Sequence, residues 1–295
     1  MRENGLKAKR AVEALRSGVP NRDAVRELGS NHPDIEAAFL DRLAASQKSE
    51  RAGGLVVTGD FGSGKSHLLE YLQHMALERN YIASKVVISK ETPLHDLGKV
   101  FRTAVDVARV PDRKGAALAE IVDALSDRHA TPAYRAFSDW VNDPASGIND
   151  RFAAALYLYE QTLRELELRD RIVRFWGGDT ITVTELRREL REIGEGATYL
   201  FPRVTEKELA LQRFLFAARL IRAAGYAGWV LLLDEIELVG RYSLLQRALS
   251  YGEVTRWVEP REPSGIPGVA AVLTVSQDFY SAVIDDKGDH DQAPN

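Results

Sequence analysis

Short apolar runs recur along the chain, separated by stretches whose apolar residues follow the spacing of a helix. Runs of this length without polar alternation predict strands buried on both faces of a parallel sheet. The runs are Gly54–Thr58, Ile82–Ser89, Trp229–Leu233 and Val269–Val275. Helical spacing around them predicts helices at Leu6–Ser17, Arg22–Leu28, Asp34–Ser46, Ser66–Glu78, Leu97–Ala108 and Leu244–Trp257. Strands that alternate with helices predict an α/β fold, and we expect its first strand–helix–strand unit to be right-handed.

The stretch between the second and third apolar runs is almost entirely helical in its spacing. Predicted helices there cover Ala116–Leu125, Pro132–Val141, Asn149–Glu167, Val183–Ile193 and Lys207–Ala224, with an irregular piece at Phe175–Thr182. We therefore interpret residues 111–228 as a helical insertion. Residues 1–110 then hold N-terminal helices and the first half of the sheet domain. Residues 229–295 hold its second half and a charged tail, Asp285–Asn295, which we expect to fray.

Composition and charge exclude several classes of function. The 295 residues are 45% hydrophobic and 28% charged, with a net charge of −4. These values fit a globular protein and argue against one that coats nucleic acid through its overall charge, although a local basic groove stays compatible with them. The sequence has no cysteine, which excludes disulfides, thiolate zinc sites and cysteine nucleophiles. No apolar stretch reaches the length of a membrane span, so we expect a cytoplasmic protein without a membrane partner.

Residues 59–66, which we call the glycine loop, read Gly-Asp-Phe-Gly-Ser-Gly-Lys-Ser. This is the G-x-x-x-x-G-K-S pattern of a phosphate-binding loop, and it stands between a predicted strand and a predicted helix, as the motif requires. Its glycines allow successive backbone N–H groups to point at an anion near the positive end of a helix. Lys65 is the candidate for the β- and γ-phosphates of ATP, and Ser66 is the candidate for Mg²⁺. The remaining predicted nucleotide contacts are Gly59, Asp60, Phe61, Gly62, Ser63, Gly64 and His67.

Two acidic residues, Asp234 and Glu235, come directly after the third apolar run. Because open α/β sheets bind ligands at the carboxyl ends of their strands, we expect Asp234 to lie beside the glycine loop. An aspartate at this position can hold Mg²⁺, and Glu235 can act as a general base toward an attacking water. We interpret Glu237 as a charge on a helix face that could also add to this acidic edge.

The fourth apolar run is expected to lie between the first and the third, so its polar end would reach the same site. Because side chains alternate along a strand, the sequence does not decide whether Ser276 or Gln277 contacts the γ-phosphate. Simple strand-end polarity would explain either residue. Several arginines could act on the nucleotide of a neighbouring subunit, although a solvated surface role is more common for this residue type. These are Arg241, Arg247, Arg256 and Arg261.

Together these motifs resemble those of AAA+ ATPases, specifically the initiator-like branch that includes origin-recognition proteins. Val19-Pro20-Asn21-Arg22 is similar to the adenine-contacting segment of that branch. The resemblance implies that Val19 and Pro20 pack against the base. It also implies that Gly59–Ser66 is the Walker A motif, that Leu231–Glu235 is the Walker B motif, and that Ser276 or Gln277 occupies the sensor 1 position.

Longer runs are similar to the ATP-binding proteins of BREX phage-defence systems, and this similarity extends over nearly the whole chain. The runs are Glu13–Arg22, Ser89–Leu94, Gly225–Trp229 and Gln277–Val283. The resemblance implies a bacterial anti-phage setting. It also implies DNA and other defence-system proteins as partners, and a homo-oligomeric full-length form.

One departure from the AAA+ pattern bears on activity. Members of that branch continue past sensor 1 into a fifth strand, an arginine-finger segment and a helical lid, whereas this chain ends soon after Gln277. We therefore expect a P-loop sheet domain of AAA+ type without a complete C-terminal lid. The leading hypothesis is an ATPase that uses ATP and Mg²⁺ and couples its nucleotide state to engagement of a partner or DNA. The alternatives are a nucleotide-dependent binding or scaffolding module with little turnover, and a small-molecule or nucleic-acid kinase.

Overall fold

The four predicted strands form one parallel sheet in the computed structural model, which describes residues 29–48, 53–259 and 266–289. The strands are β1 (Leu55–Gly59), β2 (Ile82–Val87), β3 (Trp229–Asp234) and β4 (Val269–Ser276). Their order across the sheet is β1-β4-β3-β2, and every pairing is parallel. The predicted α/β class and the central position of β4 between β1 and β3 are therefore confirmed. The predicted helices at Leu6–Ser17 and Arg22–Leu28 lie outside the described residues.

The register of the strands brings their C-terminal ends to one edge of the sheet, which we call the carboxyl edge. Gly59 at the end of β1 lies opposite Ser276 at the end of β4. Val87 at the end of β2 lies opposite Asp234 at the end of β3. Parallel pairing alone requires this common edge, because every strand points in the same direction. Residues that follow different strands thus meet there although they are far apart in the sequence.

The strands alternate their side chains between two hydrophobic cores, one on each face of the sheet. Val230 and Leu232 belong to the first core, together with residues of α1 (Pro33–Gln47) and α2 (Lys65–Glu78). Leu231 and Leu233 belong to the second core. Burial on both faces explains why these strands lack polar alternation. The helices that contribute to the second core are α3 (Leu97–Asp106), α4 (Ala117–Ser126), α5 (Pro132–Asn142), α6 (Asp150–Gln161), α7 (Leu166–Trp176), α8 (Val183–Glu192), α9 (Glu206–Ala223) and α10 (Leu244–Val258).

The single helix predicted at Asn149–Glu167 is wrong, because the chain forms α6 and α7 with a turn between them. Thr162 ends α6, and its hydroxyl donates to the carbonyl oxygen four residues earlier, at 2.6 Å. Arg169 of α7 donates to the carbonyl oxygen of Tyr159 in the last turn of α6, also at 2.6 Å. Two carbonyl groups in the last turn of α6 therefore accept hydrogen bonds from side chains, which supports the end of the helix at this point.

The irregular piece predicted to begin at Phe175 begins two residues later, since α7 continues to Trp176. Phe175 and Trp176 are almost completely buried in the second core. Their burial on one side of α7 stabilises its last turn. Gly178 has a positive φ of 118°, a conformation that favours glycine and redirects the chain after the helix.

Aromatic packing joins the predicted insertion to the sheet. The rings of Phe214 in α9 and Trp229 in β3 stack with their centroids 5.5 Å apart. Phe101 of α3 contacts Phe214 edge-on at 4.9 Å, and Trp257 of α10 contacts it at 5.2 Å. The helices of residues 111–228 and one face of the sheet therefore share the second core, and the domain boundaries themselves stay a prediction.

The segment after β4 is anchored rather than frayed. A π-helix covers Tyr280–Asp285, and the side chain of Asp289 is fully buried. Asp289 accepts hydrogen bonds from the guanidinium of Arg247, with Nη2 at 2.6 Å, and from the hydroxyl of Tyr251 at 2.7 Å. The prediction of a fraying tail from Asp285 is wrong as far as residue 289, because a buried counter-charge on α10 fixes this segment. The rest of the tail lies outside the described residues.

Candidate functional site

The glycine loop connects β1 to α2 at the carboxyl edge of the sheet. Gly62 and Gly64 have φ values of 81° and 91°, where a residue with a Cβ atom is strained. Gly59 has no positive φ, and a Cβ atom there would lie 2.6 Å from the hydroxyl oxygen of Ser63, so this side chain would have to move. Gly62 and Gly64 therefore adopt backbone conformations of the kind that the motif predicts. Gly64 also precedes α2 without a side-chain cap, which leaves the first N–H groups of this helix available to an anion.

Lys65 lies inside the curve of the glycine loop. Its ammonium group donates to the carbonyl oxygens of Gly59 at 2.6 Å and of Asp60 at 2.9 Å. The residues at positions 60 to 64 are exposed, and the side chain of Phe61 is entirely so. The loop thus exposes its backbone to solvent, and the ammonium group of Lys65 lies close to that backbone. An anion-binding loop requires this arrangement.

Asp234 is the buried centre of the site. Its Oδ2 accepts a hydrogen bond from the Ser66 hydroxyl at 2.8 Å, across a separation of 168 residues in the sequence. Its Oδ1 accepts hydrogen bonds from the Thr274 hydroxyl at 2.5 Å and from the backbone N–H of Glu235 at 3.1 Å. Only 3% of Asp234 is exposed, so these bonds fix the orientation of the carboxylate. The structure thereby brings together the two residues that the sequence proposed as Mg²⁺ ligands.

Sequence reasoning missed two residues that contact this centre. Thr274 is a buried polar residue within the apolar strand β4, and Lys85 is a charge within β2. The ammonium group of Lys85 donates to the backbone oxygen of Ser66 at 3.0 Å and lies 3.9 Å from Oδ2 of Asp234. A polar residue inside an otherwise apolar strand was the available signal for both.

Glu235 has a strained backbone at the position predicted for the general base. Its φ of 61° lies in the left-handed region, which non-glycine residues adopt infrequently. Partial burial of its carboxyl group raises the pKa of Glu235, and the negative charges of Asp234 and Glu237 raise this pKa further. Arg241 and Lys65 act in the opposite direction. The carboxyl group therefore lies within the electrostatic field of both the glycine loop and the acidic edge.

The tip of β4 contacts the short 3-10 helix Ile236–Arg241 that follows β3. The backbone N–H of Ser276 donates to the carboxylate of Glu237 at 3.2 Å. Glu237 thus lies on a short helix and also contacts the tip of β4 at the acidic edge, so its two interpretations are compatible. Gln277 is exposed at the same tip. The choice between Ser276 and Gln277 as a phosphate contact stays a prediction.

A cavity of about 320 Å³ lies between the glycine loop and the segment before α1. Its wall includes His67, whose Nε2 lies 3.1 Å from the backbone oxygen of Gly29. The other lining residues are Ser30, Asn31, His32, Ser63, Gly64 and Leu68. His67 therefore lies beside the loop at the entrance to a space next to the predicted phosphate position. Val19 and Pro20, predicted to contact adenine, lie outside the described residues.

The arginines proposed as fingers have different environments. Arg247 is buried against Asp289, and Arg256 donates to Glu253 at 2.8 Å. Arg241 is exposed at the end of the 3-10 helix. Arg261 lies outside the described residues. Burial of Arg247 in an ion pair removes it from the candidates, because a finger must reach a neighbouring subunit.

The described residues contain neither a preformed cluster of metal ligands nor a helix that could span a membrane. No group of three or more His, Cys, Asp or Glu side chains in residues 29–48, 53–259 and 266–289 is arranged to hold a metal ion. Mg²⁺ at a nucleotide is usually held by one or two protein groups plus phosphates, so a site of that kind would not form such a cluster. In the same ranges, no helix is long and apolar enough to span a bilayer.

Comparison with known proteins gives one partial match. A family model described as BREX system ATP-binding protein BrxC/D matches residues 6–136. The match includes the glycine loop, α2 and β2 but stops before β3 and β4, so it covers less than half of the chain. No curated protein and no solved structure matches the chain. The predicted resemblance to BREX ATP-binding proteins is confirmed over the matched residues, whereas the AAA+ branch stays a prediction.

Proposed function

We propose that this chain binds ATP with Mg²⁺ at the glycine loop and hydrolyses it. The observation that carries the proposal is the 2.8 Å hydrogen bond between Ser66 and Asp234. It joins the first residues of the helix after a phosphate-binding motif to a buried carboxylate at the end of another strand. This arrangement supports a nucleotide site with a magnesium position. The match to a family of ATP-binding proteins over residues 6–136 supports the same assignment.

The phosphates would lie against the exposed backbone of the glycine loop and the uncapped start of α2. Both provide N–H groups that point at an anion, and the helix dipole adds a partial positive charge. Lys65 already donates to two loop carbonyl oxygens. Its ammonium group would exchange these neutral acceptors for phosphate oxygens, which form stronger, charge-assisted hydrogen bonds.

Ser66 and Asp234 fit a magnesium ion in their chemistry. Both present oxygen atoms, the donor type that this hard cation prefers, and the carboxylate is held in place by Thr274. Bound Mg²⁺ would neutralise charge that develops on the phosphate oxygens. The protein's own contribution is to hold the Asp234 carboxylate in a fixed orientation at the carboxyl edge.

Glu235 would orient and deprotonate the attacking water. Its carboxyl group follows Asp234 directly and belongs to an exposed residue with a strained backbone. The raised pKa of this group moves it toward neutral pH, where a base combines an ionised form with a useful affinity for a proton. Ser276 or Gln277 at the tip of β4 would contact the γ-phosphate.

The biological setting follows from the resemblance rather than from the site. We propose a role in bacterial phage defence within a BREX system, in an ATPase core of AAA+ type whose nucleotide state is coupled to DNA or to other defence proteins. Homo-oligomer formation belongs to the same proposal. The resemblance over residues 6–136 supports this setting.

The test is to measure ATP binding by calorimetry and ATP turnover at steady state, each with Mg²⁺. We expect the wild type to bind and hydrolyse ATP, and Lys65→Ala to weaken binding. Glu235→Gln should retain binding and lose roughly 100-fold or more in turnover, the usual contribution of a general base. Glu167→Gln, on an exposed turn of α7, is the matched control. Lack of ATP binding by the wild type would refute the proposal, and binding without turnover would favour the scaffolding alternative.

A further inference from the structure

Lys85 carries a positive charge into the candidate magnesium site from β2. It lies on the face of β2 that packs toward α2, together with Ala83. Its side chain is 18% exposed, although lysine is normally a surface residue. Within the described residues, its ammonium group contacts the backbone oxygen of Ser66 and the carboxylate of Asp234. These are the same two residues that would hold Mg²⁺.

The two oxygens of Asp234 are in different electrostatic environments. Oδ1 accepts hydrogen bonds from the Thr274 hydroxyl and the Glu235 backbone, both neutral donors. Oδ2 faces the Ser66 hydroxyl and, at 3.9 Å, the Lys85 ammonium group. A carboxylate that is 3% exposed is costly without a counter-charge. Lys85 therefore places a positive charge beside Oδ2, the oxygen that also meets the hydroxyl of Ser66, the other residue that would hold Mg²⁺.

We infer that Lys85 is a positioning residue that acts as a built-in counter-cation of this site. The inference rests on the proposed ATP binding. Lys85 holds Asp234 and the start of α2 together before nucleotide arrives, and its charge competes with that of Mg²⁺ for Oδ2. Its second effect is on metal-free nucleotide, whose phosphates it partly neutralises. The affinity of the site for nucleotide should consequently depend less on Mg²⁺ than it would with a neutral residue at position 85.

The alternative is a purely structural role, in which Lys85 only satisfies the backbone oxygen of Ser66. The two roles differ in their response to Mg²⁺. A structural defect changes nucleotide affinity by the same factor with and without the metal. A lost counter-cation changes mainly the affinity without metal, because Mg²⁺ can replace the missing charge when it is present.

The test measures the affinity for fluorescent ADP in saturating Mg²⁺ and in EDTA. We expect Lys85→Met to raise the ratio of the two affinities by at least about fivefold, the lower end of typical coupling between sites. Lys85→Arg keeps the charge and should stay within about twofold of the wild type. Lys99→Met, on the exposed part of α3, should leave the ratio unchanged. An unchanged ratio in Lys85→Met, or an equal rise in Lys85→Arg, would overturn the inference.

A second measurement needs no nucleotide. Thermal unfolding in EDTA should show a larger loss from Lys85→Met in the wild-type background than in an Asp234→Asn background, since the charge that Lys85 balances is absent there. Equal losses in the two backgrounds would overturn the pairing. If the wild type fails to bind ADP under any condition, the proposed function falls together with the magnesium role. Binding with an unchanged ratio removes only the role of Lys85.

Discussion

Asp289 offers a sharp test of how the segment after β4 is held. Its buried carboxylate accepts two hydrogen bonds from the Arg247 guanidinium and one from the Tyr251 hydroxyl. Arg247 is only 9% exposed, so it also depends on this partner. The perturbation is Asp289→Asn, which preserves the size of the side chain and removes its charge.

The expected loss follows from these contacts. Breaking a buried ion pair while leaving one charge behind typically costs about 3–5 kcal/mol. The asparagine introduced by Asp289→Asn would still accept one hydrogen bond through its amide oxygen, and Arg247 keeps its hydrogen bond to the backbone oxygen of Tyr242 at 3.0 Å. We therefore expect the lower end, a loss of about 3 kcal/mol in the free energy of unfolding. If the segment detaches locally before global unfolding, the loss in free energy of unfolding is limited. It cannot then exceed the stabilisation that the buried residues Val283 and Ile284 provide.

The assay is equilibrium urea unfolding together with hydrogen exchange of residues 280–289. Asp286→Asn is the matched control, because Asp286 is exposed in the same segment and surface changes usually stay within about 0.5 kcal/mol. A global loss appears as a lower midpoint at an unchanged slope. Local detachment appears as faster exchange confined to the segment. A variant that matches the control in both measurements would refute the buried ion pair.

The same ion pair predicts a dependence of stability on pH. The hydrogen bonds from Arg247 are the main cause that lowers the pKa of Asp289, and Tyr251 adds to this effect. A carboxyl group with a lowered pKa in the folded state stabilises the protein above its unfolded pKa, about 3.9, and this contribution is lost as the pH falls through the folded value. As the pH falls below about 4, Asp289→Asn should therefore lose less stability than the wild type does.

Three further predictions concern the site and one helix. Glu237→Gln removes a charge that raises the pKa of Glu235; because the base must be deprotonated, the acidic limb of the ATPase pH profile should move to lower pH. Gly64→Ala places a Cβ atom at a φ of 91°, so we expect a loss of roughly 1–2 kcal/mol in unfolding free energy and weaker ATP binding by calorimetry. Asp96→Ala removes the side chain that caps α3 by accepting the N–H of Lys99 at 3.1 Å; thermal unfolding should show a loss of about 1 kcal/mol.

Each of these predictions has a control on the same chain. Glu167→Gln should leave the acidic limb of the ATPase pH profile unchanged. If it shifts that limb as much as Glu237→Gln does, the shift cannot be explained by the pKa of Glu235. Gly252→Ala, at a helical glycine with open space around it, should not weaken ATP binding, so equal weakening would contradict the conformational reason given for Gly64. Asp96→Asn keeps a capping oxygen and should lose little stability; a loss equal to that of Asp96→Ala would exclude capping as the cause.

The sheet could be predicted from the sequence because its strands are buried on both faces. Apolar runs such as Trp229–Leu233 have no polar alternation. This run is followed directly by two carboxylates, Asp234 and Glu235. The position of β4 beside β1 was expected from the topology that accompanies a phosphate-binding loop, not from the apolar runs, and the paired ends Gly59 and Ser276 confirm it. The glycine loop could also be predicted from the sequence, since its residues are contiguous and their backbone conformations depend on local sterics.

The rest of the site depends on contacts between distant parts of the chain. Thr274 and Asp234 are 40 residues apart, yet their side chains share a hydrogen bond of 2.5 Å. Hydrophobic periodicity assigns such residues to a strand but does not say which polar side chain meets which. Lys85 was overlooked for the same reason, because one lysine in an apolar strand also fits a strand end that reaches solvent.

Two charged residues in the last part of the chain are buried, although charged residues are normally expected at the surface. Arg247 was a candidate finger or a solvated surface residue, and Asp289 belonged to a tail expected to fray, so neither charge was expected to be buried. Burial of both residues against each other removes the need for water, because each group provides the hydrogen bonds that the other lacks. The pair also holds the segment that packs on the 3-10 helix after Glu235, where a Cβ atom on Gly240 would lie 2.8 Å from Val283. A bulky residue at position 240 would consequently disturb both the anchored segment and the backbone that leads away from the proposed base.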